Sequence, residues 1–254
     1  MFPAVAESAA TGETADLFDD IRTTVGVRVV NLVWRHLATM DGALPWAWTA
    51  VKPLYLQGMP DEAARRFRVS MMLPKLEGLA GPQPQSVDDV LASYDHSNTI
   101  NLFALGALRC WLRGEAGTGG VLPTGPRLPA PDVTLPKLNS AEDVLPETWA
   151  LVLRLNAFGD REQIILASMY RQLSGTPAFL RLLEQALAKA DLDKAIAANR
   201  STATGMSRLL AQAISAPPTP YAAAIERGVS AFVDHAIGKM VTICRAIRVA
   251  RGSV

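Results

Sequence analysis

The chain has 254 residues, 49% of them hydrophobic and 19% charged, which is enough apolar material for a full core and excludes global disorder. With 25 basic against 24 acidic residues the formal net charge is +1, so no overall field draws nucleic acid or an anionic membrane surface. No apolar run approaches the roughly 18 residues of a membrane span, and the opening MFPAVAESAATGE lacks the basic start and apolar stretch of an export signal, which makes the cytoplasm the expected location. Cys110 and Cys244 lie in apolar segments without CxxC or CxxH spacing. Zinc and dithiol chemistry are therefore not expected, nor any other metal or cofactor, and both thiols read as reduced core residues.

The residues ahead of Thr14 show no apolar period and read as a flexible arm. Leu17, Ile21 and Val25 then recur at helical spacing up to a break at Gly26, and VVNLVWRHLATM carries a second helical stripe through Val30, Val33, Trp34, Leu37 and Met40. A helix is expected to open near Leu44-Pro45 and to be kinked or split at Pro53. Another starts at Pro60, with Asp61 and Glu62 placed to favour the positive end of its dipole. After the Gly81-Pro82 loop, Ser86 and Asp89 resemble a capping box opening the long apolar helix VLASYDHSNTINLFALGALRCWL.

From Gly114 to Pro136 the composition turns to glycine and proline, as in a surface crossover that is extended and poorly packed. Helical pattern resumes near Ser140 and continues through ETWALVLRLNAFG, IILASMYRQLSG, TPAFLRLLEQALAKA and a final long segment from Tyr221. No segment alternates with period two for long enough to argue a sheet. The fold expected is all-α: a first helical repeat with its arm over residues 1–113, a linker over 114–136 and a second repeat over 137–254.

Two matches at nearly one offset support the repeat. Trp34, Arg35 and Leu37 stand 136 residues before Tyr170, Arg171 and Leu173, and Asp95-His96 stand 139 residues before Asp234-His235. Such halves pack as a pseudo-dimer with a pocket where like helices meet, and a homodimer is also compatible with the pattern.

Asp95, Asn98 and Asn101 form a polar stripe at i, i+3 and i+6 on the long apolar helix. Either they make a satisfied internal network or they face a pocket that orients a substrate or water. His96 and His235 each follow an acid and read as structural histidines, while His36, beside Arg35, is expected on the polar side of its helix. Ser168 has no GxSxG elbow, which disfavours a serine hydrolase. Arg65, Arg66 and Arg68 read as a solvated basic face, and Trp34, Trp46 and Trp48 as core or pocket wall.

The segments RTTVGVRVVNLVWRHLATMDGALPWAW, YDHSNTINLFALGAL and ILASMYRQLSGTP resemble successive parts of the group I 2-haloacid dehalogenases, the DehI family. The resemblance implies an all-helical protein of two repeats with partial similarity to the alkylhydroperoxidase D fold. It also implies direct displacement of halide from a short 2-haloacid by a water that a buried Asp activates and an Asn helps hold. Carried over by position, the Asn falls on Asn98 and the Ser that precedes the catalytic Asp on Ser168. The Asp itself falls on Met169, and two aromatic pocket positions fall on Val29 and Leu32. A thioether cannot take a proton from water near neutral pH, so a base must come from elsewhere. Asp95 is the nearest candidate in sequence, with Asp160 and Asp234 behind it. Two functions stay open: a hydrolase of a small carboxylic acid centred on Asp95 and Asn98, with Val29, Leu32, Ser168 and Met169 lining its site, or a binding or scaffold protein without the chemistry. Peroxidase activity of the alkylhydroperoxidase type needs a paired-cysteine motif that Cys110 and Cys244 do not supply.

Overall fold

A computed structural model describes residues 2–120, 122–160 and 165–253. Among these residues every regular element is helical, as the apolar periodicities require. The first α-helix, α1 (Gly12–Val25), buries Phe18, Ile21 and Val25 and stops at Gly26, whose φ of 74° is left-handed and suits a residue without a Cβ. A side chain at Gly26 would also meet the Cβ of Ala130 at 2.8 Å. Then come α2 (Leu32–Leu37), α3 (Ala43–Leu56), α4 (Met59–Ser70) and the long α5 (Gln85–Leu112). Pro53 does not split α3; it lies inside the last turn, and its missing N–H costs the helix only the one bond to the Thr49 carbonyl. The capping box at Ser86 does not form. The long helix starts at Gln85 after Pro84, and Asp89 accepts a bond from the Gln85 amide at 2.9 Å instead.

The second series is α6 (Pro146–Ala157), α7 (Ser168–Leu173), α8 (Pro177–Ala188), α9 (Leu192–Leu210), α10 (Ala222–Ser230) and α11 (Gly238–Arg251). A π-helical stretch over Ala231–Ile237 joins α10 to α11 into one rod. Helix α9 has no counterpart in the apolar pattern, because its buried face is built from Ala195, Asn199, Ala203 and Ser207 as much as from Leu192, Ile196 and Leu210. Small residues there let α9 pack closely on α5; Ser207 lies so near Gly106 that a Cβ on that glycine would be 2.4 Å from its hydroxyl.

Two segments expected to be loose are held. In the N-terminal arm, Val5 donates to the Arg35 carbonyl at 3.0 Å, and Phe2 packs edge-on against Phe232 with ring centres 5.3 Å apart. Its Glu7 carboxylate takes bonds from Arg22 and from the Val30 backbone. His36, expected on a polar surface, is buried: its Nδ1 lies 2.8 Å from the Pro3 carbonyl and its ring rests against Phe2. The crossover is extended but anchored, since Leu122 is buried, Leu128 N–H donates to Asp61 at 2.7 Å, and Arg127 reaches the Thr24 carbonyl.

There are two hydrophobic clusters among the described residues, and each draws on both halves of the chain. The C-terminal half of α5 packs with α1 to α4, α10 and the π stretch, with Trp34 and Trp48 at the centre. Its N-terminal turns, through Val87, Val90 and Leu91, pack instead with α6 to α8 and α11. Helix α5 therefore buries residues all round, as a helix shared by two cores must.

Candidate functional site

Where α5 leaves one core for the other, a cavity of about 60 Å³ opens beside its middle turns. By the same measure one water takes roughly 10–15 Å³, so a few waters or a short acid fit. Residues 29–33 and Arg35, at the entry to α2 and on it, form one wall, and residues 165–169, leading into α7, form another. Ser93, Tyr94, Ser97 and Asn98 of α5 supply a polar side, while Phe232, Ala236 and Ile237 of the π stretch and Met240 of α11 supply an apolar one. A π turn adds a residue to the helical repeat and so re-aims the side chains that follow it.

Five of the six site candidates are brought together here: Val29, Leu32, Asn98, Ser168 and Met169 all line the cavity. Asn98 is buried to 8% exposure, and no protein group among the described residues bonds its amide. Met169 is 1% exposed. The segment before it is fixed by Asn156, which accepts from Ala167 N–H at 3.0 Å and donates to the Ile165 carbonyl at 3.1 Å.

Asp95 is the exception: it does not line the cavity. Its carboxylate, 2% exposed, turns away to an arginine cluster, with Arg248 at 2.7 Å and Arg68 and Arg245 each at 3.2 Å. Asp95 stands about 60° round the helix axis from Asn98, past the side that Ser93, Tyr94, Ser97 and Asn98 turn to the cavity. Asn101, at the other end of the stripe, is wholly buried in a saturated network. Its Oδ1 accepts from Trp34 Nε1 at 3.0 Å and from Tyr55 OH at 2.8 Å, and its Nδ2 donates to Asn31 Oδ1 at 3.1 Å and to the Ser97 carbonyl at 2.8 Å.

The other acids are also engaged elsewhere. Asp160 holds His235 Nδ1 at 2.6 Å and lies 3.6 Å from Arg200, and Asp234 pairs with the buried Arg109. His96 Nε2 sits 3.2 Å from the Val25 carbonyl, and burial lowers its pKa, as expected of a structural imidazole. Among the described residues, no carboxylate, imidazole or thiol lines the cavity; Arg35 is its one charged group. Cys110 and Cys244 are both buried and free, and burial pushes both thiols up. No group of His, Cys, Asp and Glu among the described residues could hold a metal ion, and no helix there is long and apolar enough to cross a membrane.

Asn31, Arg35, Ser93, Tyr94, Ser97 and the π stretch were not singled out by the sequence. The signal for the α5 members was present: 93, 94, 97 and 98 are spaced i, i+1, i+4, i+5, the pattern of a single helix face. The π stretch left no such sign, because its periodicity departs from 3.6 only where the chain is already folded.

No protein-family profile matches the sequence, and no curated protein matches it either. Solved structures do. A D-2-halacid dehalogenase mutant superimposes with a TM-score of 0.76 at 13% identity, over 98% of this chain and 96% of the other. A complex of a D-2-haloacid dehalogenase mutant with D-2-CPA gives 0.72 at 14% identity, over 100% and 96% of the two chains. A D-2-haloacid dehalogenase complex with L-LA gives 0.71 at 14% identity, over 98% and 96%. At such identities the likeness is one of fold: this chain has the helical haloacid-dehalogenase fold over its whole described length.

Proposed function

We propose that the chain binds a small carboxylic acid in the cavity between α2, α5, α7 and the π stretch, and that it does not carry out the water-activated displacement of the dehalogenases. The observation that carries this is the chemistry of the wall. Asn98 presents an unsatisfied amide, Ser97 and Ser168 present hydroxyls, and the remainder is largely apolar, which suits a short acid with an apolar substituent. No described lining residue can deprotonate water near neutral pH, and Met169 stands where the resemblance puts the catalytic carboxylate. The same reading takes the chain as two copies of one helical unit, α1 to α5 and α6 to α11.

A second reading, hydrolysis of a small acid, is favoured by one observation: Asn98 keeps its amide open to the cavity, placed to hold a water. It needs a carboxylate that reaches that water. The two readings separate on halide release from each enantiomer of 2-chloropropionate, measured beside binding of the same acids by calorimetry. Binding without release above the buffer rate is the expected result. Release that depends on Asn98 overturns the binding reading in favour of the hydrolase, and absence of both overturns the cavity as an acid site.

A further inference from the structure

Outside the cavity, three arginines from two helices converge on a single oxygen. Asp95 Oδ2 lies 2.7 Å from Arg248 Nη1 and 3.2 Å from both Arg68 Nη2 and Arg245 Nη1. Arginine and carboxylate often meet fork to fork, with two bonds between one pair. Here each guanidinium gives the carboxylate one nitrogen, and the other oxygen, Oδ1, is buried without a partner among the described residues. One negative charge thus gathers three positive ones. None of the three arginines has a second ion pair among the described residues, so a surplus of two positive charges stands where α4 and α11 meet Asp95 of α5.

The nitrogens that remain are not alike. Arg248 is used at both ends, since its Nη2 donates to the Ser253 carbonyl, and Arg68 Nη2 also reaches the Asp95 backbone carbonyl at 3.2 Å. Arg68 Nη1 and Arg245 Nη2 bond no protein group among the described residues and, unlike the buried Nε atoms of Arg68 and Arg248, stay open to solvent. They sit on guanidiniums that touch the same oxygen, so they are neighbours. The three side chains are between 19% and 21% exposed, which lets a small solute reach them. Burial lowers the Arg68 pKa, Asp95 opposes that, and the charges of Arg245 and Arg248 add to it. Like charges held together in this way repel until more negative charge arrives, while Asp95 fixes their positions beforehand.

We propose that Arg68 and Arg245 form a receptor for a doubly charged oxyanion of the phosphate class, free or at the end of a small organic molecule, bound by Arg68 Nη1 and Arg245 Nη2. The dianion matches the surplus charge, and its separate oxygens suit donors that arrive from two helices. Asp95 is a positioning residue that aligns the guanidiniums. None of Arg68, Asp95, Arg245 and Arg248 lines the cavity, so the receptor stands or falls independently of the small-acid reading.

The test is calorimetric titration with inorganic phosphate at about pH 8, above its second ionisation, with sodium chloride at equal ionic strength as control. One phosphate should bind per chain, and chloride should give no saturable heat. Arg68→Gln and Arg245→Gln should each weaken phosphate binding at least about tenfold, the loss of one charged hydrogen bond. Two arginines stay on Asp95 in either variant, and thermal melts check that both fold. Arg66→Gln, on the exposed side of α4, should bind phosphate as the wild type does. Methyl phosphate in a parallel titration separates the two sources: its loss assigns the free ion and its retention a phosphate-ended molecule, and either result supports the receptor. Absence of phosphate binding to the wild type overturns the receptor, and no misfolded variant can produce that result. Equal saturable binding of chloride, or undiminished phosphate affinity in both folded variants, overturns it as well.

Discussion

Trp34 and Tyr170 occupy the same turn of two short helices, α2 and α7, and both are fully buried, yet their polar ends are treated in opposite ways. Trp34 Nε1 and Tyr55 OH share Asn101 Oδ1, and Asn101 in turn satisfies Asn31 and the Ser97 carbonyl. The Tyr170 hydroxyl is buried with no partner among the described residues. Tyr170 lies instead in the second hydrophobic cluster, among side chains such as Met240 that offer a hydroxyl little. The two short helices thus anchor their large aromatic residues in unlike surroundings, one a bonded polar network and the other apolar. Polarity in such a site is set by which helix supplies the central residue, not by the framework.

The largest effect should come from Asn101→Leu, which strands Trp34, Tyr55 and Asn31 in the core. A loss of about 3–5 kcal/mol in urea unfolding is expected. Tyr170→Phe, by contrast, removes a hydroxyl that already lacks a partner and should stay within about 1 kcal/mol of wild type, on the stabilising side if it moves. Similar costs for the two variants would break the comparison.

Lys239 sharpens the same contrast. It is fully buried on α11, where the offset of 139 places Ile100 on α5, and its Nζ donates to the Asn156 carbonyl. Burial, opposed by Asp160 and reinforced by Arg200, lowers its pKa from 10.5 to about 7. Between these values the unfolded chain holds a proton that the folded one has released, so stability should rise with pH across that window. Below the lower value both states are charged and the whole penalty remains. Lys239→Met should therefore stabilise the protein below neutrality, by on the order of 3 kcal/mol, and lose most of that advantage towards pH 10. Thermal melts across pH check both the sign and the window; a flat difference between variant and wild type would be the contrary result.

Smaller effects compare the anchored crossover with an exposed position on α9. Gly58 has φ of 65°, and a Cβ on it would lie 2.0 Å from the Gly125 carbonyl oxygen, so Gly58→Ala should cost about 1–3 kcal/mol. Gly205, exposed inside α9 with nothing within 4 Å of a built Cβ, should accept alanine with a gain of about 0.5–1 kcal/mol. Chemical denaturation of the pair reads both signs.

The order of most helices and the break at Gly26 were legible in the sequence, because periodicity and glycine chemistry act within a few residues. Part of the cavity lining was also named there: Val29, Leu32, Asn98, Ser168 and Met169 came from the family resemblance. Helix α9 was not legible, since small residues mark a close helix contact only once the partner helix is known. Nor was the anchoring of the arm and crossover, for which proline and glycine content suggests slack while the actual holds are Arg35, Asp61 and Thr24 on distant elements.

Asp95 and Asn98 mark the limit most clearly. From sequence alone they are two polar residues one turn apart on an apolar helix, and burial of both is all that can be inferred. The direction each faces was decided by the tertiary structure. Arg245 and Arg248, 150 and 153 residues further on, reach back to Asp95, whereas no side chain among the described residues arrives to bond Asn98. A buried charge must find an opposite charge, and which distant arginine supplies it depends on how the two cores interleave. That information lies in the packing of α5 against α11 and nowhere in the local spacing of residues.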